Sequence, residues 1–212
     1  MTITSEQNLS LFNGALRELG SRKLASLTEN REPQYLLTDV WNDDAVLHCL
    51  EEGLWSFAIR SVAISFDPSF TADFGYTYRF TQPTDFVRTA QVAVDEYFEQ
   101  PLTRYVEEGQ FWFADLSDIF VKYVSDDLAY GMNYSVWPPS FIVFVELYLA
   151  SKIVFKITQS KEKEDEVLQK LNMARRDALS KTAMEQPNKF FPLGMFARSR
   201  YGQFSRGRYR GE

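Results

Sequence analysis

The hydrophobic period of this chain changes twice along its length, and no other feature constrains the fold as much. Up to about residue 60, apolar residues recur every three or four positions. Leu9, Phe12, Leu16 and Leu19 share one face of a helix expected over 5–19, with Ser5 as its N-cap and Gly20 as its stop. Pro33 suits the first turn of a second helix. Tyr35, Leu36, Val40, Val46, Leu47 and Leu50 carry its period to about Glu52, and residues 55–59 are expected to extend it beyond a kink at Gly53. From about 61 to 125 the period falls to two. Segments such as "SVAISFD", "YTYRF", "QFWFAD" and "DIFVKYVS" are rich in β-branched and aromatic residues and are separated by turn signals, which predicts four to six antiparallel strands. "EEG" before "QFWF" marks a hairpin. Trp137-Pro138-Pro139 then ends the strand pattern and sets up a helix capped by Ser140. That helix, over 140–158, is apolar nearly all round, as a central buried helix is. A last helix places Val167, Leu171, Ala174 and Ala178 on one face, with charges opposite, and Pro187 ends it.

The fold class expected from this pattern is α+β, mainly α. A bundle of about four helices is drawn from both halves of the chain (1–60 and 138–187), with a small antiparallel β-domain inserted at 61–137 and an extended tail at 188–212. A membrane span over 140–157 is not expected, because Glu146, Lys152 and Lys156 cost too much at bilayer depth. The first twelve residues have neither a basic leader nor a long apolar run, so no signal peptide is expected.

Charge is distributed unevenly. The chain carries −6 overall, yet from Lys189 to Glu212 six basic residues face one acid, a net +5 that leaves −11 on residues 1–188. The basic stretch interleaves arginine with Phe, Tyr, Gly and Ser. Such a composition binds single-stranded nucleic acid by charge and stacking, orders on an acidic protein surface, or stays solvated, and composition does not choose among the three. Aromatics make up 16% of the chain, enough to supply subunit contacts as well as a core.

Signs of catalysis are few. With one histidine, His48, a histidine metal cluster is excluded, and with one cysteine, Cys49, so are an internal disulfide and a C-x-x-C site. His48 and Cys49 are sequence neighbours on an expected helix and so do not face each other, which makes them a poor nucleophile–base pair. The phosphate-loop and nucleophile-elbow patterns do not occur. The acid pairs Asp43-Asp44 and Asp126-Asp127 fit a helix start and a turn better than a metal site, and "KEKEDE" (161–166) fits a solvated helix end.

Six segments occur in an order and spacing that carry a resemblance: "LFNGALRELGSRKLASLTENREPQ", "DVWNDDAVLHCLEEGLWSFAIRS", "RFTQPTDFVR", "YVSDD", "WPPSFIVFVELYLASKI" and "ARRDALSKTAMEQPNKFFPLGMFARSRYG". Together, from about Leu11 to about Tyr201, they resemble the head-to-tail adaptor (connector) family of tailed bacteriophages, in particular its tail tubular protein A, or gatekeeper, branch from short-tailed phages. The resemblance implies a virion protein at the head–tail interface, present in the host cytoplasm during assembly. It implies a ring of twelve copies between the portal protein and a tail tube or nozzle, with genome DNA passing through the channel without specific binding. It implies no enzymatic activity and no cofactor; no metal site and no membrane contact are expected from the residues themselves. The C-terminal tail would clasp the portal, with Arg198, Arg200, Arg206, Arg208 and Arg210 pairing with carboxylates and Phe196, Tyr201, Phe204 and Tyr209 as anchors between them. Phe111, Trp112 and Phe113 are the expected tail-side contact, where alternation would bury Phe111 and Phe113 on one face of a strand and leave Trp112 on the other; a two-sided core is the alternative. The charged face of 161–181, including Lys161, Glu164 and Arg175, is a candidate ring contact. The alternative reading is a nucleic-acid-binding protein with a basic aromatic arm.

Overall fold

The computed structural model describes residues 3–72 and 74–185. The first helix, α1 (Ser5–Glu18), is capped by Thr4 instead of Ser5. The Gln7 amide donates to the Thr4 hydroxyl at 3.4 Å, and the Gln7 side chain accepts from the Thr4 amide at 2.8 Å, a reciprocal capping box. Gly20 does end the helix. It adopts φ 68°, while Ser21 N–H reaches Leu16 C=O at 2.9 Å and Gly20 N–H reaches Arg17 C=O at 3.1 Å, the Schellman arrangement that satisfies the last carbonyls. Asn13 then pins the following loop by holding both backbone groups of Leu24, accepting at 2.7 Å and donating at 3.1 Å.

The expected four-helix bundle is not what the chain builds: the described residues form five helices and two three-stranded antiparallel sheets. The long second helix is broken into α2 (Glu32–Asn42) and α3 (Ala45–Glu51), because Asp44 takes the left-handed conformation at φ 58°, which Asp and Asn tolerate better than other side chains. Residues 55–59 do not prolong α3. Ser56–Ala58 form a single 3₁₀ turn that leads straight into strand β1 (Ile59–Ser65). The Trp55 indole turns back and donates to the Cys49 and Leu50 carbonyls at 3.0 and 3.1 Å, closing the end of α3. Helix α4 (Pro139–Thr158) has Pro138 at its N-cap and Pro139 in its first turn, so Ser140 is not the cap. Gln159 at φ 50° reverses the chain, and the Ser160 hydroxyl accepts from Lys163 N–H at 3.3 Å as α5 (Lys161–Glu185) begins.

Helix α4 is the axis of the helical layer, packed against α1, α2, α3 and α5. Its near-uniform apolarity follows from that position. Phe141 meets Trp55 and Trp137 edge-on at 4.9 and 5.0 Å, and each such fully enclosed side chain contributes about 2–3 kcal/mol by burial. The remaining strands are β2 (Tyr78–Thr81), β3 (Phe86–Ala93), β4 (Val106–Glu108), β5 (Phe111–Ala114) and β6 (Asp118–Ser125). One sheet has the order β1-β6-β3, the other β2-β5-β4. A second hydrophobic cluster lies between the sheets, built from Phe80, Trp112, Val121 and Tyr123 among others. Strand β6 serves both cores. Ile119, Val121 and Tyr123 face the opposite sheet, and Val124, on the other parity, joins the helical cluster.

Candidate interaction surfaces

Three surfaces stand out when the site residues are built up from the elements that hold them. The first is the outer face of the β2-β5-β4 sheet. Gly109 at φ 60° lets β4 turn into β5 through a two-residue loop, and the register pairs Val106 with Phe113 and Arg79 with Phe113 from either side. The alternation along β5 is the reverse of the one expected. Trp112 is fully enclosed (0% exposed), wedged edge-on against Phe86 at 5.2 Å with its indole donating to the Thr89 hydroxyl at 3.1 Å. It cannot be a contact residue for a partner. Phe111 and Phe113 are half-buried on the outer face instead. There the Arg79 guanidinium lies 4.5 Å from the Phe111 ring and 4.7 Å from Phe70, and it pairs with Asp67 at 2.5 Å. Donation from Ser69 and Arg79 holds the Asp67 carboxyl at about 2. Phe74, 92% exposed, projects beside this stack, and Phe70, Phe74, Tyr76 and Phe113 line an open depression there. Phe70, Phe74 and Arg79 were not anticipated as surface residues. The signal available was two phenylalanines in a polar loop, "DPSFTADFG".

The second surface is α5. Several of its charges are paired within the chain. Lys163 and Lys170 both reach Glu166, at 2.8 and 2.9 Å, and their hydrogen bonds hold that carboxyl at about 2. Lys170 also bridges to Glu18 of α1 at 3.4 Å. Arg175 pairs with Glu52, so its first role is to tie α5 to the end of α3. Lys161 is exposed and Glu164 half-buried, and neither forms an ion pair among the described residues.

The third surface is a groove walled by Trp41, Val46, Leu128 and Met132, with Asn8 and Asp44 at its margin. Only the folded chain brings Asp44 and the turn at 126–128 together, so the sequence does not mark them as one surface. Behind it, Asp85 accepts from Tyr123 at 3.1 Å, from Ser125 at 2.5 Å and from Arg60 at 2.8 Å, joining β1, β6 and the turn before β3. Burial alone would raise the Asp85 carboxyl, but these three donors outweigh it and hold it below the ordinary range.

The titratable pair considered for chemistry is set apart by the fold. Cys49 is buried in the helical core, where desolvation pushes its thiol far up, while His48 stacks on Tyr148 at 4.7 Å on the outside. Among the described residues no group of three or more His, Cys, Asp or Glu is placed to hold a metal ion, and no helix is long and apolar enough to cross a membrane. The nine tail residues expected to bind the portal, Phe196, Arg198, Arg200, Tyr201, Phe204, Arg206, Arg208, Tyr209 and Arg210, lie outside the described residues. No protein-family model matches the chain, and no curated protein matches it.

Proposed function

We propose that this chain is a structural head-to-tail adaptor of a phage virion, assembling as a ring between portal and tail or nozzle, through which the genome passes. The observation that carries the reading is the division of charge, −11 on residues 1–188 and +5 on 189–212. An anionic body repeated around a channel repels phosphates, so DNA slides past instead of adhering. A cationic, aromatic segment would grip that DNA if it lined the channel, and it is better placed outward, on carboxylates of the portal. The six segments that resemble the adaptor family, in the same sequence order, support the same assignment. The outer face of the β2-β5-β4 sheet, with Phe74, Phe111 and Phe113, is the tail-side surface in this reading.

Truncation after Asn188 tests it. The truncated chain keeps both hydrophobic clusters and should melt as the full chain does, yet fail to join portal rings in a co-sedimentation assay. Attachment at full strength would remove the portal clasp. The Arg, Tyr and Gly content of 196–210 also favours a second reading, a nucleic-acid-binding arm. That reading requires single-stranded oligonucleotide binding that weakens steeply with added salt, and a flat response removes it.

A further inference from the structure

The outer face of the β2-β5-β4 sheet holds a positive charge against aromatic rings, and it does so with the chain's own Arg79. That residue stands opposite Phe113 in the register. Its guanidinium lies 4.7 Å from the Phe70 ring and 4.5 Å from Phe111, and Asp67 meets its charge at 2.5 Å. The rings offer a negative face and the carboxylate a full charge, a combination that suits a planar guanidinium better than a compact, strongly hydrated ammonium.

The same combination recurs one step along the sheet. Val106 and Glu108 of β4 lie opposite Phe113 and Phe111, and residues paired across a ladder share a face. With Phe74, Tyr76 and Phe113 they line the depression beside Arg79, which encloses about 370 Å³. Glu107 accepts from Gln82 at 3.0 Å and from Thr89 at 2.8 Å. Glu108 is exposed, and among the described residues its carboxylate has no ion pair and accepts no hydrogen bond. The loop that carries Phe74 is anchored on either side: Asp67 accepts from the Ser69 amide at 2.9 Å, and Asp115 accepts from the Thr77 amide at 3.0 Å. Gly75, at φ 79°, makes the turn that leaves the Phe74 ring in solvent. Strand β4 also has an open edge among the described residues. It pairs with β5 alone, and all three of its residues are exposed. An extended segment laid along that edge, about 4.8 Å away, turns every second side chain to the face that holds Glu108.

We infer that this depression is a socket for an arginine carried on an extended segment of a partner protein. The guanidinium stacks against Phe74, Tyr76 and Phe113 and pairs with Glu108, while the segment's backbone adds to β4. Arg79 does not repel it, because Asp67 neutralises that charge. Glu107 and Glu108 repel phosphates, so neither nucleic acid nor an anionic lipid surface fits here. The inference deepens the reading of this face as the tail-side surface, and rests on that reading only for which protein brings the arginine.

The experiment titrates the labelled full chain with the peptide acetyl-Thr-Ser-Val-Arg-Val-Ser-Thr-amide and follows amide NMR shifts, which should concentrate in 74–76 and 106–113. Citrulline in place of the peptide's arginine keeps the shape and removes the charge, and should weaken binding about tenfold, as should Glu108→Gln in the chain. Phe74→Ala should weaken it about fivefold. Both side chains are exposed, so an unchanged melting temperature shows that neither variant has misfolded. Glu162→Gln, an exposed acid on α5, should change nothing. Methylating alternate backbone amides of the peptide, in one parity or the other, should weaken binding several-fold. Equal binding of the citrulline peptide, indifference to Glu108→Gln, or shifts centred on the acidic turn at 126–132 would overturn the socket, and no loss from methylation in either parity would overturn the added strand. A fall in mass on adding the peptide would show that a second copy of this chain had been displaced, and would overturn the assignment to a different protein. Neither portal nor tail protein is used. Failure here therefore leaves the adaptor reading standing, and failure of the truncation test leaves the socket standing.

Discussion

Glu146 sits at the contact between α1 and α4, buried at its stem and paired with Arg17 at 3.0 Å. Gly14 is what admits it. A Cβ at that position would stand 2.0 Å from the Glu146 carboxyl carbon and 2.6 Å from its Cγ. Gly14→Ala should therefore lower stability by about 1–2 kcal/mol, overpacking outweighing the better helix propensity of alanine. In a Glu146→Ala background the obstruction is gone, and the same change should stabilise by about 0.5–1 kcal/mol. Urea unfolding of the four chains measures the sign reversal, and additive effects would show that the two residues do not share this space. Asp85 is the other single residue on which much depends. Its folded pKa is below the ordinary 3.8, so the unfolded chain takes up the proton first. The stabilisation is thus full above about pH 4 and fades as pH falls through the folded value. Asp85→Asn should cost about 2–3 kcal/mol at pH 7, with the gap to the parent chain narrowing towards pH 3. A gap that stays constant across that range would mean the carboxylate charge contributes nothing.

Elements differ in how far their residues announce them. The strands of β5 and β6 are legible because alternating β-branched and aromatic residues have no competing helical period. Helix α4 is legible for the opposite reason, an apolar circumference that only a surrounded helix tolerates. What could not be read was punctuation. Thr4 and Ser5 are equally good caps by residue type, and only the Gln7 side chain folding back on Thr4 selects between them. The period of α2 runs on through α3 almost undisturbed, so one left-handed residue, Asp44, leaves little trace in the sequence. Strand parity was lost in the same way. Three aromatics in a row, Phe111 to Phe113, satisfy either face, and the choice was made by Thr89 and Phe86 across the sandwich, which offer the Trp112 indole a hydrogen-bond acceptor and an edge contact. The groove is assembled from segments far apart in sequence and left no mark there, and of the aromatic face of the β2-β5-β4 sheet only the β5 part, Phe111 to Phe113, could be singled out. The charge division needed no fold at all.

At the scale of the whole molecule, that division would make the two associations of the proposed adaptor respond to salt in opposite ways. Bringing anionic bodies together into a ring is opposed by their mutual repulsion, and the repulsion acts over about 10 Å at 0.1 M salt but only about 3 Å at 1 M. Docking of a cationic segment on an acidic portal is an attraction and is weakened by the same screening. The free chain should therefore remain monomeric at low salt, with any self-association increasing as salt is added. Attachment to portal rings should be strongest at low salt and fall as salt rises. Mass measurement of the full chain, alone and mixed with the cognate portal, across one salt series reads both slopes. If self-association also weakens with salt, oppositely charged surfaces meet between subunits and the anionic faces do not converge on the channel. If portal attachment is indifferent to salt while the truncation after Asn188 still abolishes it, the segment holds the portal through Phe196, Tyr201, Phe204 and Tyr209 and not through its arginines.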